Sequence, residues 1–193
     1  MIFETLSILS EEVDAYLGGD LVVIENITAV DDSGEGGGGS ALSNKVVMTL
    51  LNIEEEKTLK NFPNAAIKDG RMKYKNPAVN VNLFVLFSAN RSLYTKSLSD
   101  ISKVIEFFQG KRVFTQSNTI FKRQVPLDNV GNFHFTAELY TPSFEELNFI
   151  WGTLGGRQLP SVLYKLSIIE IERGNVIGES KPISESIGKS NSF

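Results

Sequence analysis

The chain has 193 residues, a formal net charge of −4 at pH 7 and no cysteine. The acidic balance gives no electrostatic support for nucleic-acid binding, and the missing cysteine excludes disulfides, thiolate zinc sites and thiol nucleophiles. No signal peptide is predicted, because the first residues have no basic region and no continuous apolar run. No apolar stretch approaches the roughly 20 residues that span a bilayer. We expect one domain, made in the cytoplasm, that binds neither nucleic acid nor membrane.

The first part of the chain predicts one helix and two strands. Apolar residues recur at helical spacing from Ile2 to Leu17, and Gly18-Gly19-Asp20 ends that helix. Strands are predicted at Leu21–Val30 and Lys45–Glu54. The glycine-rich segment DDSGEGGGGSALSN lies between them, and we interpret the two strands as a β-hairpin with a long, mobile connection.

Glu55–Ala78 is an irregular, mostly basic segment in an acidic protein. Pro63, Gly70 and Pro77 interrupt any regular pattern. A solvated loop and an interaction surface for an acidic partner explain its charge equally well. The basic residues that stand out are Lys57, Lys60, Lys68, Arg71, Lys73 and Lys75.

The middle of the chain predicts a central strand followed by a helix. Val79–Ala89 is the most apolar strand candidate, and its second half is apolar on both sides, as in a strand covered on both faces. Ser97–Gln109 returns to helical spacing and stops at Gly110. Two short strand or loop segments follow, at 113–114 and Thr119–Pro126. The second is expected to pair with Phe133–Tyr140.

Phe133–Glu172 predicts a strand, a capped helix, a glycine break and a second strand. Ser143 is the expected N-cap, and Glu146 completes a capping box. Gly155-Gly156 ends the helix, and Ser161–Glu172 is again typical of a strand. One face of the helix is predicted to be apolar through Phe144, Leu147, Ile150, Trp151 and Leu154.

These elements predict an α+β fold: one mixed, mainly antiparallel sheet with about three helices packed on it. We expect residues 1–172 to form a single domain. Arg173–Phe193 is polar and rich in Gly and Ser, so we expect an extended or disordered tail.

No residue pattern predicts catalysis. Gly34–Ser40 lacks the lysine and the following helix of a phosphate-binding loop. His134 is the only histidine, and the alternation of its strand predicts a surface or interface position. The paired carboxylates are explained by solvated surfaces and a helix N-terminus. We therefore expect no enzyme activity, no cofactor and no metal site.

Three segments together resemble the cap, or tail-terminator, proteins of extracellular contractile injection systems, of the antifeeding-prophage and virulence-cassette type. They are NPAVNVNLFVLFSAN (76–90), LSDISKVIEFFQGKRVFTQSN (98–118) and SFEELNFIWGTLGGRQLPSVLYKLSIIEI (143–171). The most specific pieces are EELNFIWGTLG (145–155) and PSVLY (160–164). The resemblance covers roughly residues 1–171, and some relatives carry a longer C-terminal extension.

The resemblance implies a tail-terminator-like fold and a structural role. Such proteins form a ring, typically a hexamer, on the baseplate-distal end of the inner tube and contractile sheath, and they end polymerisation. The implied partners are further copies of the chain, the sheath protein and the inner-tube protein. The protein is then expected in the cytoplasm during assembly and afterwards in a particle that is released or retained. Two alternatives remain: another structural adaptor of the same particle, at the baseplate or tube, and a small cytoplasmic ligand-binding module.

Three segments are predicted to make protein contacts and to order on assembly: Gly34–Gly39, Lys57–Lys75 and the tail after Glu172. Their composition cannot pack a core of its own. The predicted interaction residues are Gly36, Gly38, Lys57, Lys68, Arg71, Lys73, Lys75, Lys181 and Phe193.

Overall fold

The structure is a computed structural model that describes residues 1–31, 42–56, 65–68, 71–120, 133–171 and 176–180. This part of the chain contains nine strands and three α-helices. The helices are α1 (Ile2–Leu17), α2 (Tyr94–Gly110) and α3 (Phe144–Thr153). A short 3₁₀-helix spans Ile27–Asp31. The strands are β1 (Val22–Ile24), β2 (Lys45–Glu55), β3 (Ala65–Lys68), β4 (Arg71–Lys75), β5 (Val79–Asn90), β6 (Val113–Thr115), β7 (His134–Tyr140), β8 (Ser161–Ile171) and β9 (Val176–Ser180). None of these helices is long and apolar enough to cross a membrane.

The strands form two sheets. The main sheet has six strands in the order β1-β2-β5-β8-β7-β6, and the second has three in the order β3-β4-β9. The β1–β2 pair is parallel, and the other neighbouring strands are antiparallel. The predicted α+β class with a mixed, mainly antiparallel sheet and three helices is confirmed.

One face of the main sheet is covered by α1 and α2. The residues of β5 that point to this face alternate along the strand and are buried: Val81, Leu83, Val85, Phe87 and Ala89. Phe87 makes edge-to-face contacts with Phe108 of α2 and Tyr164 of β8, at centroid distances of 5.6 and 6.1 Å. The prediction that this strand is central and covered on both faces is confirmed, since Leu86 on its other face is also buried.

The opposite face is covered by two separate pieces of the chain. Near β8, α3 packs through Trp151, which is 4% exposed, against Leu163. Near β1 and β2, the 3₁₀-helix packs through Ile27 against Val47. Because α3 has only ten residues, a gap remains between these two covers.

The predicted hairpin of β1 and β2 is wrong. The two strands are parallel, with Val22 opposite Val46, because the chain leaves the sheet directly after Ile24. The Thr49 hydroxyl accepts the N–H of Ile27 at 3.1 Å and donates to the carbonyl of Glu25 at 2.7 Å. These side-chain hydrogen bonds replace a strand ladder and start the 3₁₀-helix. Residues 32–41 of the glycine-rich connection lie outside the described residues.

Two other boundaries differ from the prediction. Helix α2 begins at Tyr94 and includes Gly110. The predicted partner of β7 was Thr119–Pro126, but β7 pairs instead with β6, Val113–Thr115. Thr119 and Ile120 belong to no strand, and residues 121–126 lie outside the described part.

The segment Glu55–Ala78 is not wholly irregular, which corrects the prediction. It contains β3 and β4, and β4 pairs with β9 from the C-terminal segment. We call β3, β4 and β9 the arm. The ladder between β5 and β8 ends at Val79 and Ile171, and the ladder of β4 and β9 begins at Lys75 and Val176. The arm is therefore an extension of β5 and β8, the two strands at the centre of the main sheet.

Candidate functional site

A groove of about 770 Å³ lies between α3 and the β1–β2 side of the main sheet. It occupies the gap between the two covers of that face. The sheet residues Leu51, Phe84 and Leu163 give it an apolar floor. We call it the α3 groove, and its further lining residues are Ile24, Glu25, Asn26, Met48, Thr49, Leu50, Asn52, Tyr140, Glu146, Phe149, Ile150, Thr153 and Leu154.

The α3 wall of the groove is held in position by the capping box. Ser143 Oγ accepts the N–H of Glu146 at 3.2 Å, and the Glu146 carboxylate accepts the N–H of Ser143 at 2.7 Å. The predicted box is thereby confirmed. At the other end, Gly155 and Gly156 have φ of 97° and 79°, the left-handed conformation that the glycine break predicted. Between these ends, Phe149 lines the groove with 70% of its surface exposed.

The groove is acidic at its rim. Glu146 accepts the N–H of Ser143 and the hydroxyl of Tyr140, and these bonds hold the pKa of its carboxyl below the usual value. The same contact raises the pKa of Tyr140. Glu25 supplies a second carboxylate on the opposite wall. Among the described residues that line the groove there is no Lys or Arg. The groove therefore combines an apolar floor with carboxylates at its rim.

The arm has the opposite charge. Arg71, Lys73 and Lys75 lie on β4, while Glu179 on β9 faces Lys73. Arg71 and Lys73 lie 3.3 and 3.8 Å from the Glu179 carboxylate. Because a strand alternates its side chains, Met72 and Tyr74 point to the other face. Strand β4 is thus amphipathic, with Arg71, Lys73 and Lys75 on one face and Met72 and Tyr74 on the other.

The structure brings part of the predicted interaction set together. Arg71, Lys73 and Lys75 share one strand, and Lys68 lies on the neighbouring β3. Their role in protein contacts stays a prediction. Gly36, Gly38, Lys57, Lys181 and Phe193 lie outside the described residues.

Two phenylalanines of α3 were not anticipated as surface residues. Phe144 was predicted on the apolar face, and this is wrong, since it is 93% exposed. It occupies the first helical position, where side chains point back beyond the helix and away from the sheet. Phe149 lies off the predicted apolar stripe. An apolar residue out of phase with that stripe is the one sequence signal that pointed to the groove.

The sequence also made predictions about His134 and about metal binding. His134 is exposed on β7 and its neighbour Phe135 is buried, as the alternation predicted. Within the described ranges, no three His, Asp or Glu side chains are placed to hold a metal ion.

Two solved structures have the same fold. One is the sheath/tube terminator of an extracellular contractile injection system, PVC, in the extended state, with a TM-score of 0.65 and 15% identity over 100% of this chain. The other is the tube-terminating cap of the anti-feeding prophage, with a TM-score of 0.64 and 15% identity over 98% of this chain. The chain spans 64% and 61% of the lengths of these two proteins.

A comparison with curated proteins gave no match. A protein-family model described as the Pvc16 N-terminal domain matches residues 4–185. Together with the two solved structures, this match confirms the resemblance to tail-terminator proteins of contractile injection systems. The chain belongs to the Pvc16 N-terminal domain family.

Proposed function

We propose that this chain is a structural cap, or tail terminator, of a phage-tail-like contractile injection particle. In this proposal, copies form a ring on the baseplate-distal end of the inner tube and sheath and stop the addition of further subunits. The observation that carries the proposal is the family match over residues 4–185 combined with a fold similar to a sheath/tube terminator over the whole chain. The partners are further copies of the chain, the sheath protein and the inner-tube protein.

The edges of the main sheet support a role in ending a polymer. Both edge strands, β1 and β6, have only three residues. A short edge strand offers few unpaired N–H and C=O groups to another chain. A subunit with such edges adds little surface on which a further strand can pair, which suits a protein at the end of a stack.

The proposed role requires protein contacts and no catalytic step. Residues 1–172 form the body of the subunit in this proposal. The segment after Glu172 contributes β9, which pairs with β4 in the arm. The predicted contact residues Arg71, Lys73 and Lys75 then lie on β4, next to this strand.

Imaging of a labelled copy tests the proposal. A compact tag fused to the N-terminus is visualised on purified particles by electron microscopy. The proposal expects tag density only at the end opposite the spike. Density at the spike end, or repeated along the tube, would indicate a baseplate or tube adaptor and would overturn the proposal.

A further inference from the structure

We propose that the α3 groove binds a segment of a different protein of the particle, in which a large apolar side chain is flanked by lysine or arginine. The inference rests on the proposed function and deepens it, because it gives the chemistry of a partner that the cap contacts. Three properties of the groove carry it: an apolar floor, walls that are fixed by hydrogen bonds, and a rim of carboxylates.

The floor of the groove is an apolar surface at the centre of the main sheet. It consists of Leu51, Phe84 and Leu163, of which Leu51 and Phe84 are only partly buried. On the α3 wall, Phe149 lines the same space and is 70% exposed. Apolar depressions of about 300–1,000 Å³ are typical of binding sites in proteins, and the groove of about 770 Å³ lies in this range. The occupant therefore needs at least one large apolar side chain.

Both walls of the groove are held by hydrogen bonds within the chain. The capping box of Ser143 and Glu146 holds the start of α3. On the other side, the Thr49 hydroxyl accepts the N–H of Ile27 and donates to the carbonyl of Glu25. Because the walls are already in place before a partner arrives, binding loses little conformational entropy.

Carboxylates surround the apolar floor. Glu25 and Glu146 line the groove from opposite walls. Glu54 is exposed on β2, two residues beyond the lining residue Asn52, so the alternation of the strand places both side chains on one face. The pKa of Tyr140 is raised most strongly by its hydrogen bond to Glu146 and also by the charge of Glu54. This second effect places Glu54 near the same rim.

The charge of the rim calls for a basic partner. The lining carries no Lys or Arg among its described residues, so the carboxylates have no counter-ion within that part of it. A segment with lysine or arginine beside its apolar side chain places the apolar group on the floor and the cations at the rim. Complementary charges of this kind select the partner and fix its register.

A second copy of this chain is not the expected occupant. Strand β4 carries both cations and apolar side chains, but it presents them on opposite faces. Inserting Met72 and Tyr74 into the groove would point Arg71 and Lys73 away from the rim. We therefore assign the groove to a different protein.

The edge of β2 beside the groove is poorly suited to the addition of a strand. The ladder between β1 and β2 ends at Ile24 and Met48, although β2 continues to Glu55. Beyond that point, the side chain of Asn52 accepts the N–H of Ile53 at 2.9 Å. This donor is then not available to an added strand. The partner is therefore held by its side chains in the groove.

Photo-cross-linking in assembled particles tests the inference. Phe149 is replaced by p-benzoylphenylalanine, a photoreactive aromatic residue, and purified particles are irradiated. The cross-linked peptides are identified by mass spectrometry. The inference expects one segment of a different protein, linked through an apolar side chain that has lysine or arginine next to it in the sequence.

The same replacement at Phe144 is the matched control, since Phe144 lies on the same helix and is 93% exposed but is not among the described lining residues. It is expected to give much less of this product. A yield at Phe149 no higher than at Phe144, a link to another copy of this chain, or a linked segment without neighbouring cations would overturn the inference. In each of these cases, a tag that still marks the end opposite the spike leaves the proposed function intact.

Neutralising the rim gives a second, independent readout. Glu25→Gln and Glu54→Gln each keep a side-chain oxygen and remove a charge. Each should lower the cross-linked yield at position 149 by about twofold to fivefold, the effect of an exposed ion pair, and high salt should reduce this difference. Glu138→Gln is the control, because Glu138 is exposed on β7 outside the described lining. Yields that are unchanged in both rim variants would contradict the basic partner.

Discussion

The ring of Tyr74 on β4 packs over Gly178 on β9. The two residues are directly opposite in the ladder. If Gly178 carried a Cβ, that atom would lie 3.9 Å from Cδ2 of Tyr74. The Tyr74 hydroxyl also lies 3.3 Å from Oγ of Ser180. An aromatic ring that covers a cross-strand glycine compensates for the missing side chain. Tyr74 thus adds an aromatic cross-strand contact between β4 and β9 to the ion pairs of Arg71 and Lys73 with Glu179.

Replacing Tyr74 by alanine should loosen the arm and leave the main sheet and its helices intact. None of the arm's described side chains belongs to either core cluster, so we expect the arm to open without global unfolding. We expect faster amide hydrogen exchange in β4 and β9 and an unchanged urea midpoint. Tyr94→Ala is the control, because Tyr94 is 67% exposed on α2. Unchanged exchange in the arm of Tyr74→Ala would contradict the assignment.

Asp14 fixes the turn from α1 into β1. Its carboxylate accepts the N–H groups of Asp20, Leu21 and Val22 at 2.9, 2.7 and 2.8 Å. The turn contains three consecutive left-handed residues, Gly18, Gly19 and Asp20, which need such support. Asp14→Ala should lower the free energy of unfolding by about 2 kcal/mol.

Asp14→Asn is the conservative control for that turn. Leu21 and Val22 bond to the same oxygen, Oδ1, so an amide oxygen retains both of these bonds and loses the one to Asp20. We expect a smaller loss of stability than with alanine, measured by urea unfolding. An alanine variant as stable as the natural chain would remove the role assigned to Asp14.

The capping box of α3 should make stability depend on pH. Hydrogen bonds from Ser143 and Tyr140 lower the pKa of Glu146 below its ordinary value of 4.5. A lowered pKa in the folded state means that the stabilisation is complete above pH 4.5 and is lost as the pH falls through the folded-state pKa. Glu146→Gln keeps an acceptor oxygen and cannot ionise. In urea unfolding, this variant should therefore be less stable than the natural chain at neutral pH, and the difference should shrink in acid. A difference that stays constant with pH would contradict the prediction.

Tyr164 should limit stability at high pH. Burial raises its pKa from 10.0 to about 12, so the unfolded chain loses this proton first as the pH rises. Stability from this group is complete below pH 10 and falls as the pH rises toward the folded-state pKa. Tyr164→Phe removes the ionisable group from the packing with Phe108 and Phe87. We expect the variant to lose less stability above pH 10 than the natural chain, and an equal loss would contradict the prediction.

The elements that the sequence predicted well are those specified by nearby residues. The bounds of α1 follow from helical spacing ended by glycine, and α3 follows from Ser143 and Glu146, which are only three residues apart. Strand β5 follows from its apolar second half, which indicates burial at the centre of a sheet, and β8 follows from its content of Val, Leu, Tyr and Ile. Such signals operate over a few residues and need no knowledge of the fold.

The features that the sequence did not predict depend on contacts between distant residues. The parallel pairing of β1 depends on Thr49, which is 22 residues from the Ile27 that it binds. The arm depends on a register between Lys73 and Glu179. The α3 groove is assembled from β1, β2, β5, β7, β8 and α3, and only the out-of-phase Phe149 hinted at it. For the candidate site, the sequence singled out the basic residues of β4 and, apart from Phe149, gave no indication of the groove.

The length of particles assembled without this chain tests the central claim most directly. Particles are purified from cells in which the gene has been deleted, and tube and sheath lengths are measured by electron microscopy. A terminator that ends polymerisation predicts a broad distribution of lengths or unstable sheaths, with normal particles restored when the gene is returned. Particles of normal, uniform length and stability in the deletion strain would contradict the account.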